Sequence, residues 1–105
     1  MYYKLLKEMR EQQYQKKIID KYKGDGWYVI NTIKTNVNGI PDLILLKDNH
    51  PATFIECKTP TGKLSKIQEF RLDELSKKGF DCYVSYGDDI RKWKIIDKKN
   101  TDIGF

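Results

Sequence analysis

Two cysteines, one histidine and three prolines occur in 105 residues, and no long apolar run. Each scarcity excludes something. Cys57 and Cys82 with His50 cannot assemble an ordinary Cys/His zinc site. The bland reading of the two cysteines, which fall in predicted strands, is a pair of buried free thiols in a reducing cytosol. No stretch is long and apolar enough to span a membrane. The opening MYYKLLKEMREQQ is charged and amphipathic, with neither a signal core nor a small-residue cleavage site. The expectation is a cytoplasmic protein with no membrane partner.

Positive charge is what the chain has to spare. Twenty Lys and Arg against fifteen Asp and Glu leave +5, which favours a polyanionic partner, nucleic acid first. The length fits one compact domain over 1–105, with about 97–105 as a loose tail.

Periodicity orders the elements. From about Lys4 to Lys23 the pattern is helical, with Glu11, Gln15, Ile18 and Tyr22 on one stripe, and the Gly-Asp-Gly run stops it. Strands are predicted at Trp27–Ile33, Asp42–Lys47, Thr53–Lys58 and Cys82–Tyr86, rich in β-branched and aromatic residues. Ser65 and Gln68 have capping-box spacing at the head of a second helix that ends at Gly79. A short further element lies after Gly87. The order is α-β-β-β-α-β. The middle strands are apolar on both faces, with Ile44, Leu46 and Phe54 on one and Leu43, Leu45 and Ile55 on the other. Strands greasy on both sides need cover on both sides, so the predicted fold is a three-layer α/β/α sandwich around a mixed sheet.

Charge interrupts these strands at Asp42, Glu56 and Lys58. With an antiparallel hairpin that sets Lys47 opposite Thr53, Asp42 faces Lys58 and Ile44 faces Glu56. All three charged residues then share one face, with the acids as diagonal neighbours. A one-residue slip would undo this, so the register is an assumption. Two acids held together repel unless a cation sits between them. Lys58 could serve as a partly buried ion-pair partner. A divalent ion would serve better, and hard oxygen donors select Mg2+ or Mn2+. Two acids and a lysine beside a Gly-Ile-Pro turn point to a site.

These residues carry a resemblance. Pro41-Asp42 followed by Glu56-x-Lys58 resembles the PD-(D/E)xK nuclease superfamily. The runs GIPDL, FIECK and GKLSKIQ, with a helix ending KKGF before a strand, are similar to its VRR-NUC branch, from about Glu11 to Tyr86. The resemblance implies a restriction-endonuclease-like core. It also implies a metal-dependent DNA endonuclease that leaves a 5′-phosphate and a 3′-hydroxyl. Stand-alone members resemble phage-encoded proteins and are associated with branched DNA such as four-way (Holliday) junctions. For a phage-encoded protein the compartment would be the host cytoplasm.

Roles follow the motif. Asp42 and Glu56 would hold the metal, with the backbone carbonyl of Cys57 as a third oxygen. Lys58 would orient or activate the water. Glu11 matches the acid of the family's first helix, with Glu8 one turn earlier as its competitor. Gln68 reaches toward Lys58 or a phosphate, closes the capping box with Ser65, or does each in part. Lys63 and Lys66 flank a loop before a helix N-terminus and are candidate phosphate contacts, with Arg71 further along that helix; solvated surface cations are the alternative. The string TGKLS is not a P-loop, because the upstream glycine is missing and Leu64 stands where Ser or Thr is needed. One site per chain cuts two strands most simply as a homodimer. The competing reading is a non-catalytic nucleic-acid-binding module whose acid–lysine cluster is structural.

Overall fold

A computed structural model of the protein describes residues 2–96. The expected loose tail at 97–105 lies outside the described residues. The elements are α1 (Tyr2–Gly24), β1 (Tyr28–Asn31), β2 (Leu43–Leu46), β3 (Thr53–Lys58), α2 (Lys66–Lys77), β4 (Asp81–Tyr86) and β5 (Asp89–Lys92). The predicted order holds, and the element expected after Gly87 is the edge strand β5.

Helix α1 turns one stripe inward: Ile18 is buried, and Glu11, Gln15 and Tyr22 are half-buried. It ends in a Schellman motif. Gly26, at φ +91°, lets Trp27 N–H donate to Tyr22 O at 2.9 Å and Gly26 N–H to Lys23 O at 3.1 Å. The Tyr22 and Trp27 rings meet edge-on at 6.2 Å, which is the apolar contact that accompanies this cap. The chain is thereby folded straight back into β1.

The sheet runs β1-β2-β3-β4-β5, and every pair is antiparallel except β3–β4. The parallel pair is bridged by α2, since parallel neighbours need a crossover. Alternation along the strands splits the core in two. Leu43, Leu45, Ile55 and Cys57 pack with Ile18 of α1. Cys82 and Val84 pack with Leu72 of α2, with Phe54 against them. One helix covers each face, which is the predicted α/β/α arrangement around a mixed sheet. Leu43, Leu45, Ile55 and Leu72 are fully buried, and each contributes about 1.5–3 kcal/mol by leaving water. Leu46, expected on a covered face with Ile44 and Phe54, is 39% exposed instead.

Two corrections bear on the site. β1 stops at Asn31 rather than running to Ile33, because Thr32 is engaged by the next segment. Its hydroxyl donates to Pro41 O at 2.6 Å and to Asp42 O at 3.0 Å, and its amide donates to Asp42 O at 2.9 Å. The β2–β3 register also differs. Leu45, not Lys47, lies opposite Thr53, and Ile44 faces Phe54 rather than Glu56. Lys47 is drawn out of the hairpin into a turn, where its carbonyl accepts from His50 N–H. Its ammonium reaches Asp25 O at 3.0 Å and lies over the Trp27 ring. A shift of two residues preserves every face.

Candidate active site

The corrected register improves the geometry it replaces. Leu43 pairs with Ile55, so one step beyond the ladder Asp42 stands opposite Glu56 instead of diagonal to it. Lys58, two residues on, shares their face. Asp42 lies just before β2, and its backbone is held by Thr32. Its Oδ2 accepts from Cys57 N–H at 2.8 Å. The Cys57 thiol points into the α1-side core, as strand alternation requires, and burial pushes its pKa up, so it is no thiolate nucleophile.

Glu56 is 3% exposed. Burial, then the Asp42 carboxylate, lifts its pKa from 4.5 to about 9; Lys58 opposes the rise, while a hydrogen bond with Asp42 and the charge of Glu11 add to it. Gln68 Nε2 donates to Glu56 Oε2 at 3.0 Å; Glu56 Oε1 is buried and meets no donor, since the bond with Asp42 exists only while one of the two carboxyls keeps a proton. Buried polar atoms are nearly always paired, so such an oxygen marks a place for a missing cation or proton.

Gln68 has two sets of partners. It closes the capping box, with its Oε1 accepting from Ser65 N–H at 2.8 Å and its own N–H donating to Ser65 Oγ at 3.3 Å. Its amide nitrogen meanwhile reaches the site, at Glu56 rather than Lys58. Glu11 is half-buried and close enough to act on Glu56, whereas Glu8 is exposed.

Lys63 and Lys66 are exposed around the loop before α2. Arg71 is committed elsewhere: its Nε donates to Asn38 O at 2.7 Å and its Nη1 to Glu74 Oε1 at 3.1 Å. It ties the loop that carries Gly39 and Pro41 onto α2. At Gly39, φ is +79°, and a Cβ there would stand 2.7 Å from Ile67 Cγ1 and 3.0 Å from Ile67 O. The glycine of the Gly-Ile-Pro-Asp turn is thus required by its close approach to α2.

Among the described residues, no group of three or more His, Cys, Asp or Glu side chains is gathered to hold a metal ion. The donors on hand are two adjoining carboxylates, one with a bare buried oxygen, plus backbone carbonyls. That all-oxygen set fits Mg2+ or Mn2+, ions that keep several waters and take only one or two carboxylates. Sequence reasoning missed Thr32, which clamps the Asp42 backbone. The β1–β2 ladder puts Thr32 one step beyond the Asn31–Leu43 pair, opposite Asp42, but the sequence carries no mark of that register.

A profile of the VRR-NUC domain matches residues 2–89. The chain belongs to the VRR-NUC family. The match takes in all of α1, beyond the span the motifs alone had covered, and stops within β5. This VRR-NUC chain is therefore a nuclease-family domain with a mixed-sheet α/β fold compatible with the restriction-endonuclease-like core. No curated protein and no solved structure matches the chain. No helix among the described residues is long and apolar enough to cross a membrane.

Proposed function

We propose that this VRR-NUC domain is a Mg2+- or Mn2+-dependent DNA endonuclease, acting in the cytoplasm on branched DNA such as four-way junctions, as a homodimer. The observation that carries the catalytic part is the Asp42–Glu56 pair: two abutting acids, one buried with an unpartnered oxygen, at the end of a strand that also presents Lys58. Asp42 and Glu56 would hold the metal, with the Cys57 carbonyl as a further oxygen. A bound divalent ion supplies Lewis acidity to the scissile phosphate and a more acidic water.

The protein's own groups have separate tasks. The Cys57 amide and Thr32 hold Asp42 in place from its side chain and its backbone. Gln68 aims the Glu56 carboxyl through one oxygen and leaves the other free. Lys58 supplies positive charge where negative charge grows on the phosphate, and it orients the attacking water. Glu11 adds a further carboxylate at the rim. Lys63 and Lys66 contact flanking phosphates.

The non-catalytic reading has one observation in its favour: a proton retained on Glu56 reconciles the two acids with no metal. The test is purified protein with Mg2+ or Mn2+ against linear duplex, flap, single-stranded and four-way DNA, with a chelator control. Chelator-sensitive cleavage that Asp42→Asn and Lys58→Ala abolish, with DNA binding kept, supports the nuclease. Binding without cleavage by any metal-loaded sample sinks it. Gel filtration under cleavage conditions checks the dimer, and a stable monomer overturns it.

A further inference from the structure

The loop that follows Lys58 forms one wall of a groove whose other wall is the first two-thirds of α1. Thr59, Pro60 and Thr61 face Lys7, Arg10, Tyr14 and Lys17 across it. No Asp or Glu lines it. Lys7, Arg10 and Lys17 make no ion pair among the described residues; Lys17 lies over the Tyr14 ring. Positions 7, 10, 14 and 17 recur at helical spacing, so the cations form one stripe of about 15 Å. The neighbouring stripe carries Glu11. Glu11 acts electrostatically on Glu56, and the groove's loop wall begins at Thr59, the residue after Lys58, so the groove runs beside the Asp42–Glu56 site. Tyr3 stands at its outer end, 82% exposed.

We propose that this groove holds the sugar–phosphate backbone of a DNA strand flanking the scissile bond, with Lys7, Arg10 and Lys17 as its phosphate contacts. The assignment rests on the nuclease reading for its direction toward the site, though not for the binding itself. The spacing suits a linear polyanion. Three cations spread over a stripe of about 15 Å can meet successive phosphates of one strand, about one phosphate to each cation. A flat lipid surface would not enter a concave track walled by Pro60 and its neighbouring threonines. Tyr3, amphipathic and uncovered, offers a face on which a base at the strand's end can stack.

A second cationic groove lies on the other side of the same loop, lined by Lys63, Arg91, Lys92 and Lys94. There the cations are mixed with acids: Glu69 lines it, Lys92 pairs with Asp81, and Arg91 pairs with Asp89. Two of its four cations, Arg91 and Lys92, are thereby paired with acids, and Lys92 with Lys94, apart from the phosphate candidate Lys63, makes the control pair.

The experiment is fluorescence anisotropy of a labelled DNA duplex and a labelled four-way junction, with the full chain in chelator across a NaCl series. The triple variant Lys7→Ala/Arg10→Ala/Lys17→Ala is set beside Lys92→Ala/Lys94→Ala. Alanine on an exposed helix face preserves the helix, and an unchanged thermal transition verifies it. The expected result is a log–log salt slope shallower by about two to three for the triple variant and an affinity loss of about tenfold or more, with the control close to wild type. Wild-type salt dependence in the triple variant, a loss that follows Lys92 and Lys94 instead, or no DNA binding by the wild type overturns the groove. Groove-dependent binding by a protein that never cuts with Mg2+ or Mn2+ sinks the nuclease reading alone. Cleavage and binding both untouched in the triple variant sink the groove alone.

Discussion

Gln68 and Glu56 are joined at 3.0 Å by an amide that is already spent at its other end on capping α2. A single side chain thus fixes where α2 begins and where a buried carboxyl points. The coupling is local in sequence on one side, three residues from Ser65, and long-range on the other, twelve residues from Glu56. Helix start and site geometry are coupled through this one side chain.

Substitution separates the two duties. Ser65→Ala removes the hydroxyl acceptor and leaves the Gln68–Glu56 bond, so it is expected to cost about 1 kcal/mol of stability with little change in cleavage. Gln68→Ala loses the reciprocal cap and the bond to Glu56 together. It is expected to cost a similar amount in urea unfolding but to lower metal-dependent cleavage as well. Equal effects of the two on cleavage would show that Gln68 acts only as a cap.

Glu56 makes folding depend on pH. The unfolded chain releases its proton near 4.5, and the folded protein keeps it to about 9, because the carboxylate would be buried beside Asp42. Below the first value both states are protonated and the contribution is whole. Between the two, the folded state holds a proton that the unfolded chain has lost, so stability falls as pH rises, by about 1.4 kcal/mol per pH unit for one group. Glu56→Gln keeps an acceptor for Gln68 and a donor for Asp42 without the charge. In chelator at pH 8 it should melt higher than wild type, with a flatter dependence of Tm on pH. Mg2+ or Mn2+ should raise the wild-type Tm and leave the Gln variant unmoved. A wild-type Tm independent of pH from 5 to 9 would refute the assignment of the proton to Glu56.

Much of the fold and of the site is legible in the sequence. The Gly-Asp-Gly stop, the Ser65–Gln68 box and the alternation of Leu43, Leu45 and Ile55 are local signals, and each appears where its spacing put it. The acids and Lys58 fall on one face because face depends only on strand parity, which a two-residue register shift leaves intact. The register itself is not legible. It is set by Lys47 leaving the hairpin for Asp25 and Trp27, and by Thr32 taking the Asp42 carbonyl, both contacts between segments distant in sequence. Arg71 misleads for the same reason: a cation on a helix looks alike whether it faces a phosphate or the carbonyl of Asn38.

Gly39 and Gly24 offer a contrast in what glycine does. Gly39 combines φ +79° with a Cβ position inside contact distance of the Ile67 backbone. Gly39→Ala therefore has to strain the turn or move α2, and is expected to cost about 1–3 kcal/mol or more. Because the turn leads into Asp42, cleavage should fall with it. Gly24 ends α1 with nothing near its Cβ position, so Gly24→Ala should be neutral or stabilising by up to about 1 kcal/mol. Chemical denaturation of both variants is the check, and equal costs would remove the close-approach account of Gly39.

Arg71 gives the sharpest choice between a tether and a phosphate contact. Its guanidinium donates to the Asn38 carbonyl and to Glu74 at once, an arrangement that leaves it little freedom to meet DNA. Arg71→Met keeps most of the aliphatic stem and removes both bonds. As a tether, its loss should cost about 1–3 kcal/mol in unfolding, the range for hydrogen bonds made by a charged group, and leave the salt slope of DNA binding unchanged. Lys63→Ala/Lys66→Ala should behave inversely: near-wild-type stability, and a slope shallower by about one for each phosphate that goes without its lysine. If Arg71→Met flattens the slope while the unfolding midpoint stays put, the side chain lets go of Asn38 when DNA arrives, and the loop bearing Asp42 is held by Thr32 and the Cys57 amide without it.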